Sequence, residues 1–164
     1  MRRIAMVAVS VMALLTMFAL GQEKPWFDIK QCAFCQQFGK EPGLLQHMHT
    51  EYHNISDGIV SFTHIDTGYE DAFQRAQVGV GSVLKEMRTT GKVPYMCEHC
   101  SMLGKFTMAG VRQELVPTNY GSVVIFTSPD SSMVSELQHF GKRSNEELVK
   151  FMTDPEGGSG KKKD

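Results

Sequence analysis

Past residue 20 the 164-residue chain has no uncharged apolar run long enough to cross a bilayer, which excludes a stable membrane span in the body of the protein. Charge of one sign is also missing, since 17 Lys and Arg face 18 Asp and Glu. Without a broad basic surface, nucleic acid is not an expected partner. No nucleophile elbow and no phosphate-binding glycine loop occurs; Gly79-x-Gly81 lies between helical stretches, with no strand before it to make a nucleotide turn. Cysteine is scarce, at four residues, and none follows the N-terminal apolar run, which argues against a lipid-anchored precursor of the bacterial lipoprotein type.

What is present begins with Arg2-Arg3 and an uncharged run from Ile4 to Leu20, closed by Ala19-Leu20-Gly21. A charged start, an apolar middle and small residues at the end read as a secretory signal peptide over 1–21, cleaved before Gln22. The alternative is an uncleaved anchor helix, since the run approaches the lower limit for spanning. An exported protein, periplasmic or extracellular, is therefore expected. At the other end, Lys161 to Lys163 follow Gly157-Gly158-Ser159-Gly160, so 155–164 reads as a flexible basic tail.

All four cysteines belong to a doubled signature. Cys32-x-x-Cys35-x-x-Phe38-Gly39-Lys40 returns 65 residues later as Cys97-x-x-Cys100-x-x-Leu103-Gly104-Lys105. Downstream, Ile59 to Thr63 parallels Val123 to Thr127, and Asp66, Phe73 and Gln74 match Asp130, Leu137 and Gln138 at an offset of 64. One loop residue gained or lost explains the slip. The pattern predicts an α+β fold of two tandem related small units, 22–94 and 95–154, each a Cys-x-x-Cys loop, a β-hairpin and one or two helices.

The hairpins rest on alternation. His47, His49 and Glu51 alternate in the first unit and Val111, Gln113 and Leu115 in the second, each followed by a turn-rich stretch and an apolar strand. Helical spacing follows at Ala72, Phe73, Ala76 and at Met133, Val134, Leu137, Phe140. Gly79 and Gly81, and in the second unit Gly141, are expected to interrupt these helices. Ser144 with Glu147 would then cap a further short one. Asp66 and Asp130, after equivalent strands, read as helix caps rather than as an acid-base pair. A unit of about 60 residues is marginal alone, so the two are expected to share a core.

A C-x-x-C turn directs two sulfurs to one side, and two such turns complete a tetrahedral site if they converge. The same spacing also admits two local disulfides or an active dithiol. Haem attachment is excluded, because Gln36 and Ser101 stand where His is required. If the turns stay apart, each pair needs other ligands. His99, inside the second loop, and Met102, two residues beyond Cys100, are the nearest candidates, and His47, His49, His53 and His64 are additional ones. Imidazole suits zinc and copper, while thiolate and thioether favour copper(I), so the cofactor expected is copper(I) or zinc. Competing readings are a thiol-disulfide oxidoreductase and an interaction module whose cysteines only staple two units.

The order C-x-x-C, then Asp57-Gly58 before an apolar strand, then Tyr69-Glu70-Asp71-Ala72-Phe73 opening a helix, resembles the NosL/MerB-like superfamily. Cys100-Ser101-Met102 is similar to that family's cysteine-then-methionine element, with Ser101 where Gly is usual. The resemblance spans about residues 30 to 154 in outline. It implies two small related α/β units and an extracytoplasmic accessory role in copper delivery, with a client metalloprotein as partner. The chain departs from the family in lacking a lipoprotein cysteine and in carrying C-x-x-C twice.

Overall fold

The computed structural model describes residues 24–153; the signal segment and the basic tail expected from the sequence lie outside them. Short helix α1 (Cys35–Gly39) and a single 3-10 turn (Leu44–Gln46) lead into strands β1 (Met48–Ile55) and β2 (Gly58–Ile65), then helix α2 (Glu70–Thr90). The order then recurs as helix α3 (Glu98–Met108), strands β3 (Arg112–Thr118) and β4 (Gly121–Thr127), and helix α4 (Ser131–Thr153). The α+β class expected from the sequence is the one observed. Among the described residues, no helix is long and apolar enough to cross a membrane.

Both hairpins close through two-residue turns, Ser56-Asp57 between the paired Ile55 and Gly58, and Asn119-Tyr120 between the paired Thr118 and Gly121. The first strand therefore runs through Asn54 to Ile55, which shortens the turn-rich stretch to two residues. The hairpins join edge to edge through their second strands, giving one antiparallel sheet in the order β1-β2-β4-β3. Close approach there depends on glycine. A Cβ on Gly58 would collide with the Phe126 carbonyl, and one on Gly121 with that of Thr63. Pro117 is tolerated within β3 because β3 is an edge strand.

One face of the sheet is covered and the other is open. Successive strand side chains point to opposite faces, so Tyr52 and Ile59 turn inward while His49, Glu51, His53 and Phe62 turn outward. The inward set meets Trp26, Phe106, Val111, Phe126, Leu137 and Phe140 in the larger core, which draws on both hairpins. A smaller core of Leu44, Ile65, Ala72, Phe73 and Ala76 sits under the start of α2.

Helix α4, from the second half, packs on β1 and β2 of the first. It also closes the exposed edge of β1. The Asn145 side chain accepts from the Tyr52 backbone N–H at 2.9 Å and donates to the Tyr52 carbonyl at 2.8 Å, standing in for a missing strand. Gln138 donates to the Ile55 carbonyl at 3.1 Å. All three edge groups are satisfied without a fifth strand.

The interruptions expected at Gly79, Gly81 and Gly141 do not occur, and each hairpin is followed by one continuous helix. An isolated helical glycine costs only about 1 kcal/mol against alanine, which packing overrides. Gly141 has a packing reason: a Cβ there would sit 3.3 Å from Tyr52 Cβ and 3.4 Å from Ile59 Cγ2. Its bare backbone lets α4 lie down on the hairpin. Ser144, expected as a cap, is instead fully buried in mid-helix. Where a cysteine loop was expected after Cys97, the chain forms helix α3, with Phe106, buried in the larger core, on its inner face.

Two glycines in equivalent helical settings should therefore respond oppositely. Gly81, with open space around it, should gain about 0.5–1 kcal/mol on replacement by alanine, through helix propensity alone. Gly141→Val should lose about 1–3 kcal/mol by overpacking against Tyr52 and Ile59. Urea unfolding of both variants measures the contrast.

Candidate metal centre

The first cysteine turn is built by Asp28. Its Oδ1 accepts from the backbone N–H groups of Lys30 at 3.1 Å and Gln31 at 2.8 Å, and its carbonyl accepts from Cys32 N–H at 3.2 Å. This tight turn delivers Cys32 at its end and Cys35 at the start of α1. The second turn is the N-terminus of α3, with Cys97 as N-cap in an extended conformation and Cys100 in the first helical turn.

Three backbone bonds tie the turns together. Ala33 N–H donates to the Tyr95 carbonyl at 3.0 Å, Glu98 N–H to that of Pro25 at 3.0 Å, and His99 N–H to that of Trp26 at 3.1 Å. The last two satisfy N–H groups that the start of α3 would otherwise leave unpaired. Held this way, the four sulfurs lie within 4.8 Å of one another. Cys35 Sγ is 3.6 Å from both Cys97 Sγ and Cys100 Sγ, so the closest recorded contacts run between the two turns. All four are free thiols.

A zinc–thiolate bond of about 2.3 Å, repeated at four tetrahedral corners, separates the sulfurs by about 3.8 Å. The observed spacing fits one cation at the centre. A disulfide fits less well, because it needs sulfurs about 2.0 Å apart. Cys32 and Cys97 are wholly buried, while Cys35 and Cys100 are partly exposed, so the cluster has a closed side and an open one.

The thiols divide electrostatically. Cys32 is held well below the ordinary thiol range and Cys97 is lowered too, in each case chiefly by the hydrogen bond from Cys100. Cys100 is pushed far up, first by its bond to Cys32 and then by Cys35 and Cys97. Cys35 is also raised; its bond from Cys100 opposes the rise, but Cys32, Cys97 and burial prevail. One thiolate suppresses the next in a crowded buried cluster, and a divalent cation among them removes that conflict.

Comparison of the chain with protein-family models, with curated proteins and with solved structures gave no match. The assignment of chemistry therefore rests on the geometry.

The other residues singled out from the sequence fall elsewhere. His99 lies between Cys97 and Cys100 in sequence, yet its ring packs 4.9 Å from both Phe27 and Phe140, and its Nε2 is 3.0 Å from the Tyr52 hydroxyl. A helical residue two places beyond Cys97 points to a different side, here into the aromatic core. Burial lowers its pKa to about 4, so the ring is neutral at physiological pH. The same burial raises Tyr52, with Cys100 and Cys35 adding to the effect. Met102 packs against the larger core. His47, His49 and His64 gather around Asp66, and His53 Nε2 lies 3.1 Å from Glu51. Asp28, Trp26 and Tyr52 also shape the site and carry no motif; the signal at Asp28, four residues before Cys32, is the tendency of an Asp side chain to accept from backbone N–H groups two and three residues on.

The cap reading of the two aspartates holds at one of them. Asp130 Oδ1 accepts from Ser132 N–H at 2.8 Å at the start of α4. Asp66 makes no such bond to α2, whose N-cap is Tyr69 with no side-chain cap.

Tyr52→Phe should isolate the contact beside the cluster. It leaves the buried His99 Nε2 without its partner and should cost about 1–3 kcal/mol in chemical unfolding. In the wild type, ring nitrogen shifts should show His99 still neutral at about pH 6, whereas a protonated ring would contradict its burial.

Proposed function

We propose that this is a metal-binding protein in which Cys32, Cys35, Cys97 and Cys100 together hold one zinc ion. The supporting observation is the convergence of four sulfurs, within 4.8 Å of one another, from two turns far apart in sequence. A tetrahedral four-thiolate set suits zinc, with iron as the other first-row candidate. The ion would link the two halves at the point where the turns meet. Export, expected from residues 1–21, adds a reason for it: four uncoordinated thiols at contact distance would be prone to disulfide formation in an oxidising compartment.

A second reading follows from the open side of the cluster. Cys35 and Cys100 are the partly exposed sulfurs, and two accessible thiolates offer an exit for copper(I) to a client metalloprotein. This is the accessory role that the NosL/MerB-like resemblance implies.

The test is the metal content of the untagged full chain, purified anaerobically under reducing conditions. One zinc per chain should be found by intact mass measurement. A Cys32→Ser/Cys97→Ser variant should lose it, and zinc at a hundred times its dissociation constant should add about 2.7 kcal/mol of stability. Copper(I) bound in preference to zinc selects the second reading. Isolation of the chain with no metal and two disulfides, Cys32 to Cys35 and Cys97 to Cys100, would overturn both.

A further inference from the structure

On the open face of the sheet, His49 and His64 are directly opposed across β1 and β2. Their rings lie near parallel, at 23°, with centroids 6.4 Å apart. Opposed residues of an antiparallel pair have Cβ atoms about 5 Å apart, close enough for two imidazoles to reach one point. That point is next to Asp66 Oδ1, which lies 3.3 Å from His49 Nε2 and 3.9 Å from His64 Nε2.

The other carboxylate oxygen is engaged separately. His47 Nδ1 is 3.0 Å from Asp66 Oδ2, and the His47 ring is itself stacked on Tyr69 at 4.0 Å with a 15° tilt. His47 thus orients the carboxylate and leaves Oδ1 facing the two opposed imidazoles. Its backbone does the same, since Asp66 N–H donates to the His47 carbonyl at 3.0 Å. The hydrogen bond from His47, and after it the contact with His49, hold the Asp66 carboxyl below its usual range, so the group is an anion with its charge directed at this cluster.

The comparison with Asp130 adds an independent point. That residue, equivalent in the sequence pattern, bonds to the first turn of its helix. Asp66 leaves its own helix without a side-chain cap and faces imidazoles instead. A surface network of this kind contributes little to stability, so the departure is not explained by folding.

We propose that His49 Nε2, His64 Nε2 and Asp66 Oδ1 form a second, solvent-facing site for a divalent transition-metal cation, with His47 as a positioning residue. Two imidazoles and one carboxylate suit zinc(II) or copper(II), with open positions left for water. Bonds of about 2.0–2.1 Å place neighbouring ligand atoms roughly 3.0–3.4 Å apart. His49 already meets that distance from Oδ1, whereas His64 Nε2, at 3.9 Å, lies outside it, and the exposed His64 ring must turn toward Oδ1 for the three groups to converge. A carboxylate bonded to His47 on one oxygen and available on the other is the outer-shell arrangement common at such sites. Strand parity separates this site from the cysteines, because Tyr52, whose hydroxyl meets His99 of the second cysteine turn, lies on the opposite face of β1.

The test uses the full chain without a histidine tag, already carrying one equivalent of zinc at the cysteines. Further zinc(II) is followed by calorimetry and by the ring nitrogen resonances. One additional equivalent should bind, moving the His49 and His64 resonances and leaving His53 in place. His49→Gln/His64→Gln should abolish that equivalent, His49→Gln alone should weaken it, His47→Gln should weaken it about 10-fold or more, and His53→Gln should leave it unchanged. Absence of a second equivalent in the wild type overturns the proposal, as does wild-type binding by the double variant. Should the cysteines take no zinc, the same ring resonances still report on this site, so the two readings fail separately.

Discussion

The meeting of two cysteine turns is the constraint on which the rest of the structure depends. Cys35 and Cys97 are 62 residues apart in sequence and 3.6 Å apart at their sulfurs. Closing a chain segment of that length costs on the order of 4 kcal/mol in loop entropy. Several features of the fold contribute against that cost. β2 pairs with β4, the larger core draws on both hairpins, and three backbone hydrogen bonds join the segments around the turns. The thiols themselves oppose the arrangement, because a buried cluster of like charges cannot ionise freely. A cation held at the centre, as proposed, would turn the least favourable point of the fold into a crosslink.

An aromatic shell meets the second cysteine turn through His99. Trp26, Phe27, Tyr52, His99, Phe106 and Phe140 pack together beneath the second turn, with Tyr52 and His99 hydrogen-bonded inside the group. His99 is thereby a neutral core residue with one satisfied polar atom. The edge of β1 is sealed over the same residues by Asn145, so the helix that covers the core also protects the sheet from further strand addition.

Strand parity divides the chemistry of the molecule. Even-numbered residues of β1, such as Tyr52, face the core, while His49 and His53 face solvent. Soft sulfur ligands are gathered at the helical side and imidazoles on the open sheet. The thiols and these imidazoles therefore lie on opposite sides of the sheet. His99 is the exception in position only, since its ring is committed to Tyr52 and the aromatic residues around it.

Much of the scaffold was legible in the chain. Period-two alternation marked both hairpins, helical spacing marked the helices that follow them, and the doubled C-x-x-C marked the four sulfurs. These signals are local, so a single segment carries each of them. The continuity of α2 and α4 was not legible, because a glycine weakens a helix whatever its neighbours, and only contact with Gln37, Tyr52 and Ile59 shows why Gly79 and Gly141 are there. The different uses of Asp66 and Asp130 were hidden for the same reason. By itself, the sequence determined which groups were available: four thiols in two turns, a row of histidines on alternating positions, two apolar hairpins. Tertiary structure alone decided which of them meet, because convergence depends on the edge pairing of β2 with β4 and on the helix that crosses from one half to the other, and neither is encoded in any short stretch of residues.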